Sequence, residues 1–553
     1  MNPSTAIARV MADELARCGV TDAVIAPGSR SGPLALALLH QTGLRVHVRI
    51  DERSASFLAL GLAAAGGRPV PLVCTSGTAA AAFHPAVVEA DAAGVGLLVL
   101  TADRPPELRG TGASQTIDQI GLYGGAVRLF TEIGVPEPVT GQVAYWRSLV
   151  GRAVAAAADG PVHLNVPLRE PLTPDGTEDW PESLDGRAGG APWVTVAPPT
   201  PGPRPDLAAI LGGEVPERGA VVVGAGAVDP AAAVALAKAC GWPVFSEPTG
   251  NARFGPNAVD AYPLVLADPA FARLRPDLVV TVGRPGLSRS LLGWVRSAAR
   301  QVVVDPAARW ADPTRTAEFV LPAVPSARRT PGDWLARWRQ AGAAAGAAVE
   351  SVLEDAGELT EPGVARTLGC ALPADALLVT GPSRAVRDLE LCLPARADLR
   401  VLGNRGVNGI DGVVSTAIGA ALAHQGAGGG AAAALMGDLT YLYDRNGLVL
   451  GPEEPRPDLT LVVVDNDGGG IFSMLPQAGI AGFERVFGTP HSLDLVADAA
   501  AAGVPATTAT TSAELEAALG AGPGLRLIRV RTDRDAAADL QRRLQKAVTA
   551  ALR

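Results

Sequence analysis

Short β-branched runs alternate with helical patterns between residues 22 and 170, where Asp22–Ala26, Val46–Ile50, Val70–Cys74 and Leu97–Thr101 each lead into a turn or helix. That alternation predicts a parallel sheet wrapped by helices, because parallel neighbours need a long crossover to return the chain. An amphipathic helical pattern over Met1 to Val20 precedes it. From Glu170 to Pro205 the sequence turns rich in Pro, Gly and Asp with little periodicity, which predicts a surface linker. A second block carries apolar runs at Ala220–Val223, Val244–Phe245, Leu278–Val282 and Gln301–Val304, then fades in Leu321–Pro331. An Ala-rich helix is expected over Trp334–Ala356. A third block repeats the alternation at Leu377–Thr380, Ala432–Met436, Leu459–Val464 and Leu525–Val530, with glycines just beyond strand ends. No short-period repeat is evident. The expected architecture is three doubly wound α/β parallel-sheet domains, spanning 1–180, 200–335 and 355–553.

Composition supports several domains, since 553 residues exceed what one hydrophobic core organises. Apolar residues make up 48%, charged residues 19% and aromatics 4%, which suits α/β layers better than a coiled coil or disorder. A net charge of −9 spread over this length provides no basic stripe, so nucleic acid is not an expected partner. The five cysteines are scattered and form no C-x-x-C pair, against a disulfide framework or a zinc site. Neither a signal-peptide pattern nor an apolar run long enough to cross a membrane is present, and the expected location is the cytoplasm.

The most informative feature is Gly437-Asp438 at the end of one apolar run. Twenty-seven residues intervene before Asn466 at the end of the next, within Val464-Asp465-Asn466-Asp467-Gly468-Gly469-Gly470. Ligands of an open parallel sheet collect outside the carboxyl ends of its strands, and Mg²⁺ is held by a few hard oxygens together with phosphates. Gly437 lets the backbone approach a phosphate, and the glycines from Gly468 permit the turn that aims a main-chain carbonyl at a metal. Asp, Asn and Gly are favoured in any turn; it is the joint spacing at two strand ends that favours a diphosphate.

This pattern resembles the diphosphate-binding signature of thiamine-diphosphate enzymes. Members also need an early glutamate that hydrogen-bonds the cofactor's pyrimidine, and Glu52, in Asp51-Glu52-Arg53, is the matching residue. Alone, Glu52 would be an ordinary acid in a helix first turn. The segment Gly160–Pro167 is similar to the strand that closes the first domain of this superfamily. The resemblance implies domains of the thiamine-diphosphate-binding type, with thiamine diphosphate and Mg²⁺ (or Mn²⁺) as cofactors. Asp438, Asn466 and Gly468 would hold the metal, and Gly437 would join them at the diphosphate. Ile410 would prop the cofactor in its bent shape. Glu52 would promote the imino form of the aminopyrimidine, whose nitrogen then takes the thiazolium proton.

Arginine is the informative residue for substrate choice, because its planar fork matches carboxylates. It occurs in Pro27-Gly28-Ser29-Arg30, Ala102-Asp103-Arg104-Pro105-Pro106, Ser383-Arg384-Ala385-Val386-Arg387 and Asn404-Arg405-Gly406. With Gly112-Ala113-Ser114-Gln115-Thr116 and Gly469-Gly470-Ile471-Phe472-Ser473-Met474-Leu475-Pro476, these segments closely resemble the 2-succinyl-5-enolpyruvyl-6-hydroxy-3-cyclohexene-1-carboxylate synthases of menaquinone biosynthesis. The resemblance implies decarboxylation of 2-oxoglutarate and conjugate addition of the remaining fragment to isochorismate. Ser383, Arg387 and Arg405 would hold the donor's carboxylates, and Ser29, Arg30, Arg104 and Gln115 would hold isochorismate, with Arg289 as a further contact. Ile471, Phe472 and Leu475 would form an apolar wall.

Two positions depart from the family pattern, which usually has asparagine where this chain has Ser114 and Asp465. Ser114 is shorter, which puts a direct substrate contact in doubt, and Asp465 adds negative charge near the metal ligands. Alternatives remain open at this level. One is another thiamine-diphosphate carboligase or decarboxylase of the acetohydroxyacid synthase type, which should lack the arginine set. A second is a catalytically dead regulator with the same fold. A third is dinucleotide binding at Val221-Val222-Val223-Gly224-Ala225-Gly226 with Glu247, although Asp229-Pro230 occupies the region of the missing third glycine. The superfamily builds its cofactor site between two chains, so the resemblance implies a homodimer at least, with a homotetramer the further expectation.

Overall fold

The computed structural model describes residues 1–197, 202–307 and 309–553, so part of the linker expected over 170–205 lies outside the described residues. The chain forms two compact units. The first comprises Met1–Pro199, Asn404–Gly429 and Tyr441–Leu459; the second comprises Thr200–Gly403, Gly430–Thr440 and Thr460–Arg553.

The first unit holds a six-stranded sheet of β1 (Asp22–Ile25), β2 (Arg45–Val48), β3 (Val70–Cys74), β4 (Leu97–Asp103), β5 (Leu129–Glu132) and β6 (Val162–Pro167), in the order β2-β1-β3-β4-β6-β5. Each neighbouring pair is parallel. Every residue of β3, β4 and β6 is buried, as expected of strands covered on both faces. Helices Glu52–Gly66 and Val413–Gly426 pack closely in this unit. A Cβ on Gly61 would lie 2.1 Å from the Thr416 carbonyl oxygen, and one on Gly419 would lie 2.2 Å from that of Leu58. Glycine at both positions is what permits that approach.

The second unit contains two sheets. One has β7 (Gly219–Val223), β8 (Val244–Ser246), β9 (Leu278–Val282), β10 (Arg300–Val304) and β11 (Ala317–Leu321), all parallel and ordered β11-β10-β9-β7-β8. Helix Asp333–Glu354, close to its expected span, turns Trp334 and Trp338 onto the core of this sheet, where Trp338 stacks edge-on against Phe245 and Trp294. The other sheet has β12 (Ala376–Thr380), β13 (Leu399–Leu402), β14 (Ala432–Gly437), β15 (Leu459–Asp465), β16 (Ala506–Ala509) and β17 (Leu525–Arg531), ordered β13-β12-β14-β15-β17-β16. Within it β12 runs parallel to β13 and β14, and β16 to β17. Counted from its own first strand, this is the order of the β1–β6 sheet. In both, the winding reverses beside the first strand, so a crevice is expected outside β1/β3 and outside β12/β14.

β5, β11, β13 and β16 fall outside the apolar runs that the sequence predicts as strands. Among the described residues no helix is long and apolar enough to cross a membrane.

Candidate active site

In the second unit, β14 ends in Gly437 and Asp438 opens the following helix. Asp438 is buried, and one carboxylate oxygen accepts from the Gly468 amide at 2.8 Å while the other accepts from Leu439 at 2.6 Å. Burial raises its pKa, opposed by the Gly468 amide and the other donors. Gly468 has φ 136°, and a Cβ there would sit 1.9 Å from the Gly488 carbonyl oxygen. Glycine is therefore required for the turn after Asn466 to deliver its amide to Asp438.

Asp465 is buried beside this pair, and Asp438, Asp465 and His491 offer atoms that all lie within 4.8 Å of one another. His491 was not anticipated from sequence. Its Nδ1 accepts from the Leu493 amide at 3.0 Å, so the hydrogen resides on Nε2, 3.3 Å from Asp438. In that tautomer His491 is a donor to the carboxylate, not a metal ligand. Asn466 donates through Nδ2 to Glu361 at 2.7 Å, and its Oδ1 is buried without a hydrogen-bond partner among the described residues. The buried Asp438 carboxylate and the unused amide oxygen of Asn466 are hard oxygens suited to Mg²⁺ or Mn²⁺, and Asp465, 3.9 Å from Arg529, adds negative charge beside them.

Ser383 follows β12 with a positive φ of 70° and precedes helix Arg384–Cys392. Arg387 donates to the Ser383 carbonyl at 2.6 Å, and burial lowers its pKa. A half-buried guanidinium held by one carbonyl is poised for an anion. Arg384 is committed internally, to Glu361 at 3.1 Å and Asp388 at 2.7 Å, and it touches Met474 in the turn that carries Ile471, Phe472 and Leu475. Phe472 packs against Phe487 with ring centroids 5.5 Å apart.

In the first unit, Glu52 is the first residue of its helix, and its neighbours are fixed on several sides. Asp51 caps the amides of Arg53 and Ser54 and accepts from Asn446 at 2.9 Å; Ser54 donates to Asp444 at 3.0 Å; Arg53 lies over the Tyr443 ring. These contacts hold the helix start while leaving the Glu52 side chain unused in them. Arg30 is buried after β1 and donates to the Leu168 carbonyl at 2.9 Å, while its Nε has no hydrogen-bond partner among the described residues. Its pKa is lowered by burial and then by the charge of Arg104. Arg104, after β4, donates to the Ser114 carbonyl at 3.0 Å. Gln115, at φ 54°, donates to the Ser76 carbonyl at 3.2 Å and accepts from Ser76 through its own carbonyl at 2.8 Å. Arg30, Arg104 and Gln115 thus stand beyond the carboxyl ends of β1, β3 and β4, with Ser29 exposed beside them.

Arg405 is buried in the first unit, where the next two amides, Gly406 and Val407, are capped by Glu89 at 2.6 and 2.7 Å. Ile410 is half-buried, and its neighbours Gly409 and Asp411 line a cleft of about 320 Å³ that also includes Phe57, His84 and Glu89. A larger cavity of about 590 Å³ lies at the N-terminal helix, where Arg9, Arg17 and Arg147 are paired with nearby acids. In the middle sheet Arg289 is exposed at the start of helix Arg289–Arg296. Groups a dinucleotide would need there are used internally. Glu247 accepts from the amides of Gly286 and Leu287 at 2.5 and 2.7 Å, and a Cβ on Gly224 would lie 2.2 Å from the Arg284 backbone.

Residues 5–122 match the family described as thiamine pyrophosphate enzyme, N-terminal TPP binding domain. The chain is 59% identical to a protein named 2-succinyl-5-enolpyruvyl-6-hydroxy-3-cyclohexene-1-carboxylate synthase from Thermobifida fusca (strain YX), with 100% of both chains covered. Identity to proteins of the same name is 48% in Saccharopolyspora erythraea and 42% in Mycobacterium avium (strain 104), again over 100% of each chain.

Proposed function

The chain belongs to the family of 2-succinyl-5-enolpyruvyl-6-hydroxy-3-cyclohexene-1-carboxylate synthases, and on that premise we propose that it joins 2-oxoglutarate to isochorismate with loss of CO₂, as a step of menaquinone biosynthesis. The observation that carries this reading is the convergence of Arg30 and Arg104. The charge of Arg104 disfavours that of Arg30, whose buried Nε has no hydrogen-bond partner among the described residues, and two guanidiniums so placed suit a polyanionic ligand. Isochorismate carries two carboxylates, and Ser29 and Gln115 would complete its contacts, with Arg289 as a further contact from the middle sheet.

Thiamine diphosphate, when bound, supplies a carbon nucleophile for the keto carbon of 2-oxoglutarate and holds the electron pair left behind by CO₂. Glu52 would hydrogen-bond the aminopyrimidine ring nitrogen and share its proton there, and Ile410 would support the cofactor from its apolar side. Asp438 and Asn466 through their side chains, and Gly468 through its carbonyl, would hold Mg²⁺ or Mn²⁺, with Gly437 leaving room for the diphosphate. Ser383, Arg387 and Arg405 bind the donor's carboxylates. Ile471, Phe472 and Leu475 exclude water from the new carbon–carbon bond. A homodimer at least, and a tetramer by extension, is part of this reading. Domain limits of 1–180, 200–335 and 355–553 and a cytoplasmic location accompany it.

The test is an assay with thiamine diphosphate, Mg²⁺ and 2-oxoglutarate, with and without isochorismate, following isochorismate by absorbance and the product by mass. Isochorismate-dependent formation of the succinylated adduct is expected. Ligation with pyruvate-like donors alone would overturn the substrate assignment while keeping the cofactor.

A further inference from the structure

An asparagine amide has two ends of nearly the same shape, but only its oxygen binds a cation. At Asn466 the choice is made by Glu361. Nδ2 of Asn466 meets Glu361 at 2.7 Å, and a carboxylate accepts hydrogen bonds without donating any, so a flipped amide would set oxygen against oxygen. Glu361 is itself held. It is buried, it opens helix Glu361–Ala371, where the helix dipole favours its negative charge, and its other oxygen accepts from Arg384 at 3.1 Å. Arg384 is anchored in turn by Asp388 at 2.7 Å. Space for the amide depends on Gly470, where a Cβ would come within 2.5 Å of Nδ2. The result is a buried Oδ1 that no donor among the described residues engages.

We propose that Glu361 is a positioning residue that locks the Asn466 amide so that Oδ1 stays available to the divalent cation. The proposal rests on the cation reading of Asp438 and Asn466 given above. Partners of metal ligands that fix their orientation commonly change metal affinity by about 10- to 100-fold when altered. A purely structural role predicts otherwise: Glu361 would only pair with Arg384, and its replacement would lower stability without moving cation affinity.

The experiment titrates Mg²⁺ into the full-length apo-protein with excess thiamine diphosphate, by calorimetry, and records the melting temperature of each apo-variant. Glu361→Gln should weaken Mg²⁺ by about 10- to 100-fold, because its amide can offer N–H to Asn466 and allow the flip. Asn466→Asp removes the need for orientation, and the glutamine amide can then donate to the new carboxylate. In that background Glu361→Gln should leave Mg²⁺ affinity unchanged or improve it. Gly470→Ala disturbs the same amide without touching Glu361 and should weaken Mg²⁺ as well. Unchanged Mg²⁺ affinity in Glu361→Gln, or the same fold-loss in both backgrounds, overturns the positioning role. Unchanged Mg²⁺ affinity in Asn466→Ala overturns the cation reading itself, and the positioning role with it.

Discussion

Replacing Arg30 by methionine separates binding from stability in a way the structure makes quantitative. Arg30 donates one hydrogen bond to the Leu168 carbonyl at 2.9 Å, and its nearest counter-charge, Glu170 at 3.8 Å, is largely exposed and worth little. Losing a hydrogen bond from a charged donor costs about 1.5–3 kcal/mol. Against this, Arg30→Met removes a charge that is buried, lacks a partner at Nε and is repelled by Arg104, a relief of similar size. The apo-protein should therefore change in stability by no more than about 1–2 kcal/mol in either direction. The ligand has no such compensation. A lost guanidinium–carboxylate contact of about 1.5–3 kcal/mol corresponds to a fall of about 10- to 150-fold in kcat/KM for isochorismate. Half-saturation by 2-oxoglutarate should stay within about threefold, a difference below 1 kcal/mol. Melting curves of the apo-protein and steady-state kinetics with each substrate varied in turn provide the three numbers. A loss of more than about 3 kcal/mol in stability with unchanged isochorismate kinetics would falsify the argument and make Arg30 a clamp on Leu168.

Glu52→Gln should reduce kcat by about 10²- to 10⁴-fold yet preserve the cofactor-dependent rise in melting temperature, since Asp51, Arg53 and Ser54 hold the helix start independently; loss of that rise would point to folding instead. In Gly468→Ala the new Cβ would meet the Gly488 carbonyl at 1.9 Å, at a φ of 136°. That change should cost about 1–3 kcal/mol and abolish cofactor-induced stabilisation, as differential scanning fluorimetry would register. Burial, and then the charge of Glu247, raises the pKa of Glu390, which accepts a hydrogen bond from the Tyr262 hydroxyl. The folded state thus holds a proton that the unfolded state releases near pH 4.5. The associated stability is complete below that pH and is lost as pH rises through the raised value, by at most about 1.4 kcal/mol per unit. Glu390→Gln should flatten this decline in melting curves recorded from about pH 5 to pH 8, and an unaltered slope would remove Glu390 as its source.

Central strands were legible because burial on both faces forces a continuous apolar run. β3, β4, β7 and β9 are buried throughout, and each coincides with a run seen in the sequence. The strands missed, β5, β11, β13 and β16, all stand at sheet edges. An edge strand needs only partial burial, so β16, Ala-Thr-Thr-Ala, and β11, where Glu318 is the second residue, carry no such run. The opposite error occurred at β2. The β-branched run reaches Ile50, but pairing ends at Val48 and Ile50 is 74% exposed. The shared order of the first and third sheets left no sequence repeat either, because topology resides in the crossovers and tolerates any residues that keep the strands apolar.

The candidate site divides along a similar line. Residues that follow a strand end in the same short segment, such as Gly437-Asp438 or Asp465-Asn466, were legible because the chain itself delivers them to the crevice. Partners that reach the site from elsewhere were not: Glu361 lies 105 positions from Asn466, and His491 lies 53 from Asp438. Both family departures take on meaning from such distant partners. At position 114 it is the main-chain carbonyl that receives Arg104, so serine and asparagine can serve that contact equally. Asp465 accepts from the Asp467 amide at 3.3 Å and lies 3.9 Å from Arg529 of β17, which also approaches Asp494 at 3.4 Å. The extra negative charge is thus partly offset from the adjoining strand before any metal is considered. An asparagine at 465 would keep the acceptor for Asp467 and leave Arg529 to Asp494. The substitution therefore redistributes charge beside the proposed metal ligands without removing one of them.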